Sequence, residues 1–231
     1  MGFNKDKCKV MHVGKNNPHL EYTMNDAVLG TVKEEKDLGI LISDTLTFSS
    51  HIGKIAAKAN SVLGIIRRTF SYFSTESFLI LYKAYVRPQL EYCVQAWAPY
   101  LKKDKTILEK VQRRATKLVP EIANLPQRER LRKLKITTLE ERRDRGDLIE
   151  VYKIMNGLEA IDYNEFFQFR KYPGLRGHPY TLEVKRCKYN IRKYFFSNRV
   201  ICLWNSLPSH IVSAPNVNSF KNLYDNYYFG M

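Results

Sequence analysis

Basic and aromatic side chains are interleaved between residues 170 and 199. This stretch holds nine lysines and arginines against a single acid, Glu183. Cations pair with phosphates and exposed rings stack on bases, so the combination favours binding of single-stranded or irregular nucleic acid. An equally weighted alternative for each ring is a place in the core, with the charges on a solvated face. The cations are Arg170, Lys171, Arg176, Lys185, Arg186, Lys188, Arg192, Lys193 and Arg199, and the rings are Tyr172, Tyr180, Tyr189, Tyr194, Phe195 and Phe196.

Catalytic chemistry has little support in the sequence. It has no Cys-x-x-Cys, no His-Glu-x-x-His and no glycine-rich phosphate loop, so zinc and P-loop chemistry lack a motif. Phosphoryl transfer with two metal ions needs converging carboxylates, and no two aspartates are adjacent in the chain. The five histidines are scattered. The residues alone therefore favour a binding module, without a metal or cofactor, over an enzyme.

The composition is that of a folded, strongly basic protein. The 231 residues carry a formal charge of +15, and 44% of them are hydrophobic, which is enough to build a core. The charge is uneven: residues 1–100 hold 12 basic and 9 acidic side chains, whereas residues 101–231 hold 26 and 14. The positive excess therefore lies in the second half of the chain, where it favours a polyanionic partner.

Neither a membrane nor an oxidising compartment is predicted. The longest uncharged run, residues 200–220, contains prolines, asparagines and a histidine, which argues against a membrane span. Four well-separated cysteines are expected to be reduced thiols of an intracellular protein. They are Cys8, Cys93, Cys187 and Cys202.

Short strands are predicted at the start of the chain. Residues 7–13 begin with basic and apolar residues in alternation, and Asn25-Asp26 predicts a tight hairpin between residues 22–24 and 27–29. Residues 38–42 form an apolar run between charges, which predicts a buried strand.

Helical periodicity replaces the strands at about Ser49. A first helix has an apolar stripe and carries Lys54 and Lys58 on another face; a second follows Ser74, with Pro88 ending or kinking it. A fourth is expected from a capping box of Thr138 and Glu141 to a stop at Gly157. The residues expected to face inward are Ile52, Ile55, Ala56, Ala59, Val62, Leu63 and Ile66 in the first helix, Phe78, Leu81, Tyr82 and Tyr85 in the second, and Ile107, Leu108, Val111, Ala115 and Leu118 in the third.

Two further helical segments are expected. Residues 128–135 combine five cations with Leu131 and Leu134. A helix or turn that tracks a phosphate backbone and a solvated face over two buried leucines are equally weighted alternatives, and the two are compatible. A short terminal helix is predicted over residues 219–228. After residue 166, glycine and proline interrupt the helical pattern, so strands or loops are expected to return.

Five strings stand in a fixed order along the chain: residues 3–14 (FNKDKCKVMHVG), 35–39 (EKDLG), 90–97 (LEYCVQAW), 108–115 (LEKVQRRA) and 195–208 (FFSNRVICLWNSLP). Together they resemble the C-terminal third of jockey-type non-LTR (LINE) retrotransposon reverse transcriptases. Each string is weak alone, but together they follow the family's order and span most of the chain, from residue 3 to residue 208.

The resemblance implies an α+β fold, mainly α, in three parts. Residues 1–48 would be the short antiparallel strands that end the polymerase palm, 49–160 a helical thumb-like bundle, and 161–231 a small basic, aromatic α/β subdomain. Lys7 matches a lysine credited with protonating the pyrophosphate leaving group. Leu38 and Gly39 match the primer-grip hairpin, in which glycine lets backbone approach the primer end. For this chain in isolation, a solvated lysine and a glycine in a strand bend are the alternatives.

The thumb of such enzymes rests on the template-primer duplex, so the resemblance implies RNA and RNA/DNA duplex as partners. The expected thumb donors are Lys54, Lys58, Arg67, Arg68, Arg113, Arg114 and Lys117. The C-terminal cations between residues 170 and 199 would grip RNA. An intracellular ribonucleoprotein, nuclear and cytoplasmic, is the expected setting.

The catalytic aspartates of this family lie before everything matched here, so the chain is expected to be a fragment that is inactive alone. Magnesium would belong to the absent palm, which is itself an expected partner. Two alternatives stay open: a palm supplied in trans or by an upstream exon, and a domesticated or relic basic protein with no polymerase role.

Overall fold

A computed structural model of the chain describes residues 4, 7–14, 16–171 and 177–230. The fold is mixed α/β and mainly helical, with short strand pairs near the start. It divides into two compact units: the chain up to Cys93 with Pro99–Leu125, and Val94–Ala98 with the chain from Pro126 onward. The expected boundaries at residues 48 and 160 stay predictions. Within the described part, no helix is both long and apolar enough to cross a membrane.

The strands are β1 (Lys9–Val10), β2 (Thr23–Met24), β3 (Ala27–Val28), β4 (Gly30–Thr31), β5 (Glu34–Asp37) and β6 (Ile40–Ser43). The helices up to residue 155 are α1 (Ser49–Thr69), α2 (Thr75–Leu81), α3 (Arg87–Glu91), α4 (Val94–Trp97), α5 (Lys102–Thr116), α6 (Gln127–Lys133) and α7 (Leu139–Met155). Those that follow are α8 (Asn190–Lys193), α9 (Phe196–Arg199), α10 (Ile201–Asn205), α11 (Ser209–Val212) and α12 (Val217–Phe229).

The strands of the first unit form three separate pairs. The predicted hairpin is confirmed: β2 and β3 are antiparallel, and Asn25 and Asp26 between them have positive φ angles, as a two-residue hairpin turn requires. The pair of β1 and β4 is parallel, contrary to the expectation of antiparallel strands alone. A connection of more than a dozen residues, which contains the β2–β3 hairpin, allows this direction.

A second hairpin joins β5 to β6. Leu38 and Gly39 form its turn, with φ angles of 44° and 90°. The strand predicted over residues 38–42 therefore begins only at Ile40, because two successive positive φ angles are incompatible with extended backbone. Ile40 and Leu41 are buried, as the apolar run predicted.

The α1 and α5 helices pack together in the core of the first unit. The predicted stripe of α1 is confirmed at Ile52, Ala56, Ala59, Leu63 and Ile66, all of which are buried. In α5, Leu108, Val111 and Ala115 are buried as predicted, whereas Ile107 is exposed. The inward face of α5 instead includes Gln112, whose Nε2 donates to the buried Tyr82 hydroxyl at 3.2 Å.

Tyr85 was expected to face inward with Tyr82, and it is 58% exposed. The chain widens into a π-turn over Tyr82–Val86, immediately before Pro88, and the Arg87 N–H bonds to the Tyr82 carbonyl. In a π-turn, positions i+4 and i+5 rather than i+3 lie on the side of residue i. Val86 therefore takes the inward position, and Tyr85 is rotated into solvent.

The second unit is built around aromatic rings. Phe220 stacks on Tyr152, with 4.6 Å between ring centroids, and also on Trp204 and Tyr224. The predicted capping box of α7 is present, Gly157 follows its end with φ of 64°, and the predicted terminal helix is α12. In α6 and just after it, Leu131 and Leu134 are buried as the second alternative had it, together with Arg130.

An α/β subdomain is expected over residues 161–231, but the only β structure among the described residues there is an isolated bridge between Phe169 and Leu182. A side chain covers the outer edge of this bridge. Asn205 accepts a hydrogen bond from the Leu182 N–H and donates one to its carbonyl, each at 2.8 Å. It occupies the positions that a neighbouring strand would need.

Candidate nucleic-acid interface

Residues 185–195 of the second unit form an exposed surface, which we call the basic-aromatic segment. Its five cations, Lys185, Arg186, Lys188, Arg192 and Lys193, are all exposed. Within the described part of the chain, none of the five pairs with a carboxylate. Their charge is therefore available to a phosphate.

Aromatic rings of the same segment lie beside three of these cations. The Lys188 ammonium is 5.5 Å from the Tyr189 ring centroid, and Arg192–Phe195 and Lys193–Tyr194 repeat that distance. Tyr189 is 65% exposed and Phe195 43% exposed. The exposed rings are therefore accessible for base stacking, and the neighbouring cations are accessible to phosphates.

The other predicted rings divide between surface and core. Tyr180 is exposed and Tyr194 half-buried, whereas Phe196 is buried against Phe166 and Phe167. Phe196 thus follows the core alternative, and Tyr172 lies outside the described residues.

The end of the segment is held by residues just beyond it. The Asn198 amide donates to the Arg192 carbonyl at 2.9 Å, which satisfies an end group of the one-turn helix α8. Phe196 anchors the following turn in the core. The C-terminal end of the segment, which carries Tyr194 and Phe195, is therefore held in place by the residues that follow it.

Arg199 was predicted to bind nucleic acid, and the structure gives it an internal role. Its guanidinium forms two bonds to the buried Asp147 carboxylate, at 2.8 and 3.0 Å, and also donates to carbonyls of Val94, Gln95 and Tyr194. Burial raises the pKa of Asp147, and the bond from Arg199 opposes that rise. With most of its donors used internally, Arg199 differs from the exposed cations of the basic-aromatic segment.

The other cations between residues 170 and 199 lie apart from the segment in sequence. Arg170 and Lys171 are exposed beside the Phe169–Leu182 bridge, and the Arg170 N–H bonds to the Thr181 carbonyl. Arg176 lies outside the described residues.

In the first unit, two helices bring predicted donors together. Arg67 and Arg68 occupy the last turn of α1, Arg113 and Arg114 the last turn of α5, and Lys117 follows directly. Cations at helix C-termini are also favoured by the helix dipole, so position alone does not indicate a ligand. Lys54 and Lys58 are exposed nearer the start of α1.

Three of these donors line one groove of about 640 Å³. Arg67, Arg114 and Lys117 meet there with Phe70 and Phe73, which follow α1. The sequence interpretation missed Asn60, Gly64 and the two phenylalanines, although Asn60, Gly64 and Arg67 have the spacing of one helix face. We call this feature the α1–α5 groove.

Lys7 and the Leu38-Gly39 turn lie in the same unit. Lys7 is exposed just before β1. The Tyr92 hydroxyl donates to the Leu38 carbonyl at 3.1 Å, and a Cβ on Gly39 would lie 3.3 Å from the Tyr92 ring. The close neighbour of the Gly39 backbone in this structure is therefore the Tyr92 side chain. Tyr92 belongs to another of the five strings.

The thiols and acids form no further site among the described residues. All four cysteines are free. No group of three histidine, cysteine, aspartate or glutamate side chains in the described ranges could hold a metal ion.

No family model, curated protein or solved structure matches the chain. The resemblance to reverse transcriptases therefore rests on the five sequence strings alone.

Proposed function

We propose that this chain is the nucleic-acid-binding portion of a reverse-transcriptase-type polymerase, and that the basic-aromatic segment is its RNA-binding surface. The observation that supports this most is the set of exposed cations beside exposed rings, with no carboxylate partner in the described residues. Stacking on an aromatic side chain contributes about 1–3 kcal/mol per base, and each phosphate contact adds a salt-dependent increment.

The polymerase part of the proposal rests on the ordered strings. Several of their residues have structural roles in this chain, since Leu90, Trp97 and Trp204 are buried and Asn205 holds Leu182. A mainly helical α/β fold is compatible with a thumb after the last palm strands. Without adjacent aspartates, the chain alone is expected to incorporate no nucleotide on an RNA template with Mg²⁺, and measurable incorporation would contradict that expectation.

A matched pair of charge reversals tests the RNA-binding surface. Lys188 and Lys193 are replaced by glutamate in the full chain, and Lys102 and Lys103, which are exposed at the start of α5, are replaced in a control. Both variants change the net charge equally. With a labelled single-stranded RNA, K188E/K193E should bind about tenfold more weakly and K102E/K103E nearly as wild type. Equal losses would mean that only the diffuse field of the protein acts.

A second measurement separates RNA from an acidic protein partner. Contact with about six phosphates of a single strand predicts that log affinity falls with log salt at a slope near −4. Polyglutamate, which offers charge without bases, should compete poorly with RNA because it cannot stack on Tyr189 or Phe195. Competition as strong as that of unlabelled RNA would favour a basic interaction protein instead.

A further inference from the structure

The α1–α5 groove has the composition of a ligand site. Its polar side is formed by Arg67, Arg114 and Lys117, and its apolar side includes the buried Leu63 and Phe73 and the partly exposed Phe70. No carboxylate is among the described residues that line it. A volume of about 640 Å³ lies within the usual range for small-molecule pockets.

One cation of the groove is held in position by a hydrogen bond, and the other two have no acidic partner among the described residues. Asn60 accepts a hydrogen bond from Arg114, which fixes the guanidinium of α5 against α1. Arg67 and Lys117 have no carboxylate partner in the described part of the chain. Positive charges that line one groove repel one another, and an anion bound among them would offset that repulsion.

Gly64 keeps the groove open on the α1 side. Glycine is unfavourable within a helix, and φ at this position is not positive, so backbone geometry does not require it. A Cβ here would meet only the Arg68 guanidinium, at 3.4 Å, which is ordinary contact with a flexible group. A larger side chain would enter the groove. The helix dipole explains cations at the ends of α1 and α5, but it explains neither this glycine nor the exposed ring.

We propose that the α1–α5 groove binds one unpaired nucleoside phosphate, with its phosphate on Arg67, Arg114 and Lys117 and its base against Phe70. The proposal rests on the proposed function in that the ligand is nucleic acid, and it adds a separate site that takes a single nucleotide rather than a duplex. A base inside a duplex has both faces covered by stacking and leaves none for Phe70.

The test uses the full chain with two probes, adenosine 5′-monophosphate and a short single-stranded RNA. Gly64→Leu fills the groove while keeping all three cations, and Gly53→Leu places the same side chain on the exposed face of the same helix, where nothing lies within 4 Å. By calorimetry, Gly64→Leu should lose at least tenfold in affinity for the nucleotide, and Gly53→Leu should bind as wild type. Equal binding by both variants would overturn the proposal.

Phe70→Ala keeps the proposal testable if Gly64→Leu fails to fold. It should weaken adenosine monophosphate several-fold and leave inorganic phosphate unchanged, because only the nucleotide has a base. An equal effect on both would overturn base recognition. If wild type binds the RNA but not the free nucleotide, and Gly64→Leu weakens that RNA binding, the site takes its nucleotide from a strand.

The two failures are distinguishable. If K188E/K193E binds RNA as tightly as wild type, the proposed RNA-binding surface in the second unit is contradicted. If Gly64→Leu binds both probes with wild-type affinity, only the proposed nucleotide site in the groove is contradicted. The two tests are independent because neither substitution lies in the other feature.

Discussion

The two basic regions of this protein hold their charges in different ways. In the α1–α5 groove, cations extend from the ends of two packed helices, and Asn60 fixes Arg114. In the basic-aromatic segment, three of the five cations lie beside a ring at most three residues away in sequence. Under the two proposals, the groove would take one nucleotide, whereas the exposed rings of the segment would take a strand. The net charge alone does not separate these two modes of binding.

Arg199 lies just beyond the segment, and of the substitutions considered its replacement should have the largest effect, which is a loss of stability. Arg199→Met leaves the Asp147 carboxylate buried without its partner, and breaking such a pair costs about 3–5 kcal/mol of unfolding free energy. Arg192→Met, on the exposed segment, should change stability by about 0.5 kcal/mol or less. Denaturant unfolding of the two variants tests the division between structural and binding cations. Similar losses would break it.

The rings of the segment should contribute more to RNA binding than rings elsewhere on the surface. Tyr189→Ala should cost about 1–3 kcal/mol of RNA-binding free energy if a base stacks there. Tyr227→Ala is the matched control, since Tyr227 on α12 of the same unit is 55% exposed. Fluorescence anisotropy with a labelled single strand measures both. An equal effect of the two substitutions would remove the distinction between the segment and the general surface.

Substitution of Gly64 in the groove should change the free energy of unfolding by a smaller amount. Gly64→Ala should stabilise the protein by about 0.5–1 kcal/mol, like Gly53→Ala, because both positions are helical and accept a Cβ. Gly39→Ala is the contrast and should destabilise, since its φ is 90° and Tyr92 lies 3.3 Å from the added carbon. Thermal unfolding distinguishes the three. Destabilisation by Gly64→Ala would mean that the fold, not a ligand, requires this glycine.

The smallest expected effect is a dependence on pH in the unit that contains the groove. Burial, reinforced by Lys54, lowers the pKa of His51, whose Nδ1 accepts a hydrogen bond from the Leu41 N–H. The stability that His51 contributes is therefore present above its ordinary pKa of 6.5 and is lost as the pH falls toward the lowered value. His51→Gln, whose oxygen can accept at any pH, should flatten this part of the unfolding profile. An unchanged profile would contradict the assignment.

Features set by neighbouring residues could be predicted from the sequence. The capping box of α7, the stripe of α1 and the Asn25-Asp26 hairpin depend on residues a few positions apart, so local preference decides them. Tyr85 could not be placed correctly, because the π-turn before Pro88 changes which residues share a face.

The candidate sites show the same limit. The cations of residues 185–195 were recognised because their density is local, and they are exposed as expected. Arg199 looks the same in sequence, but its partner Asp147 is 52 positions away. The groove joins Arg67 to Arg114 through helix packing, which no spacing in the chain reveals.

Crosslinking tests the central claim most directly. A uridine-rich single strand is crosslinked to the full chain by ultraviolet light, and the modified residues are mapped by mass spectrometry. The proposal predicts that crosslinks concentrate at Tyr189 and Phe195, with Phe70 as a separate site, and that Tyr85 and Tyr227 are spared. Crosslinks spread evenly over all exposed rings, or absent from Tyr189 and Phe195, would contradict RNA binding by the basic-aromatic segment.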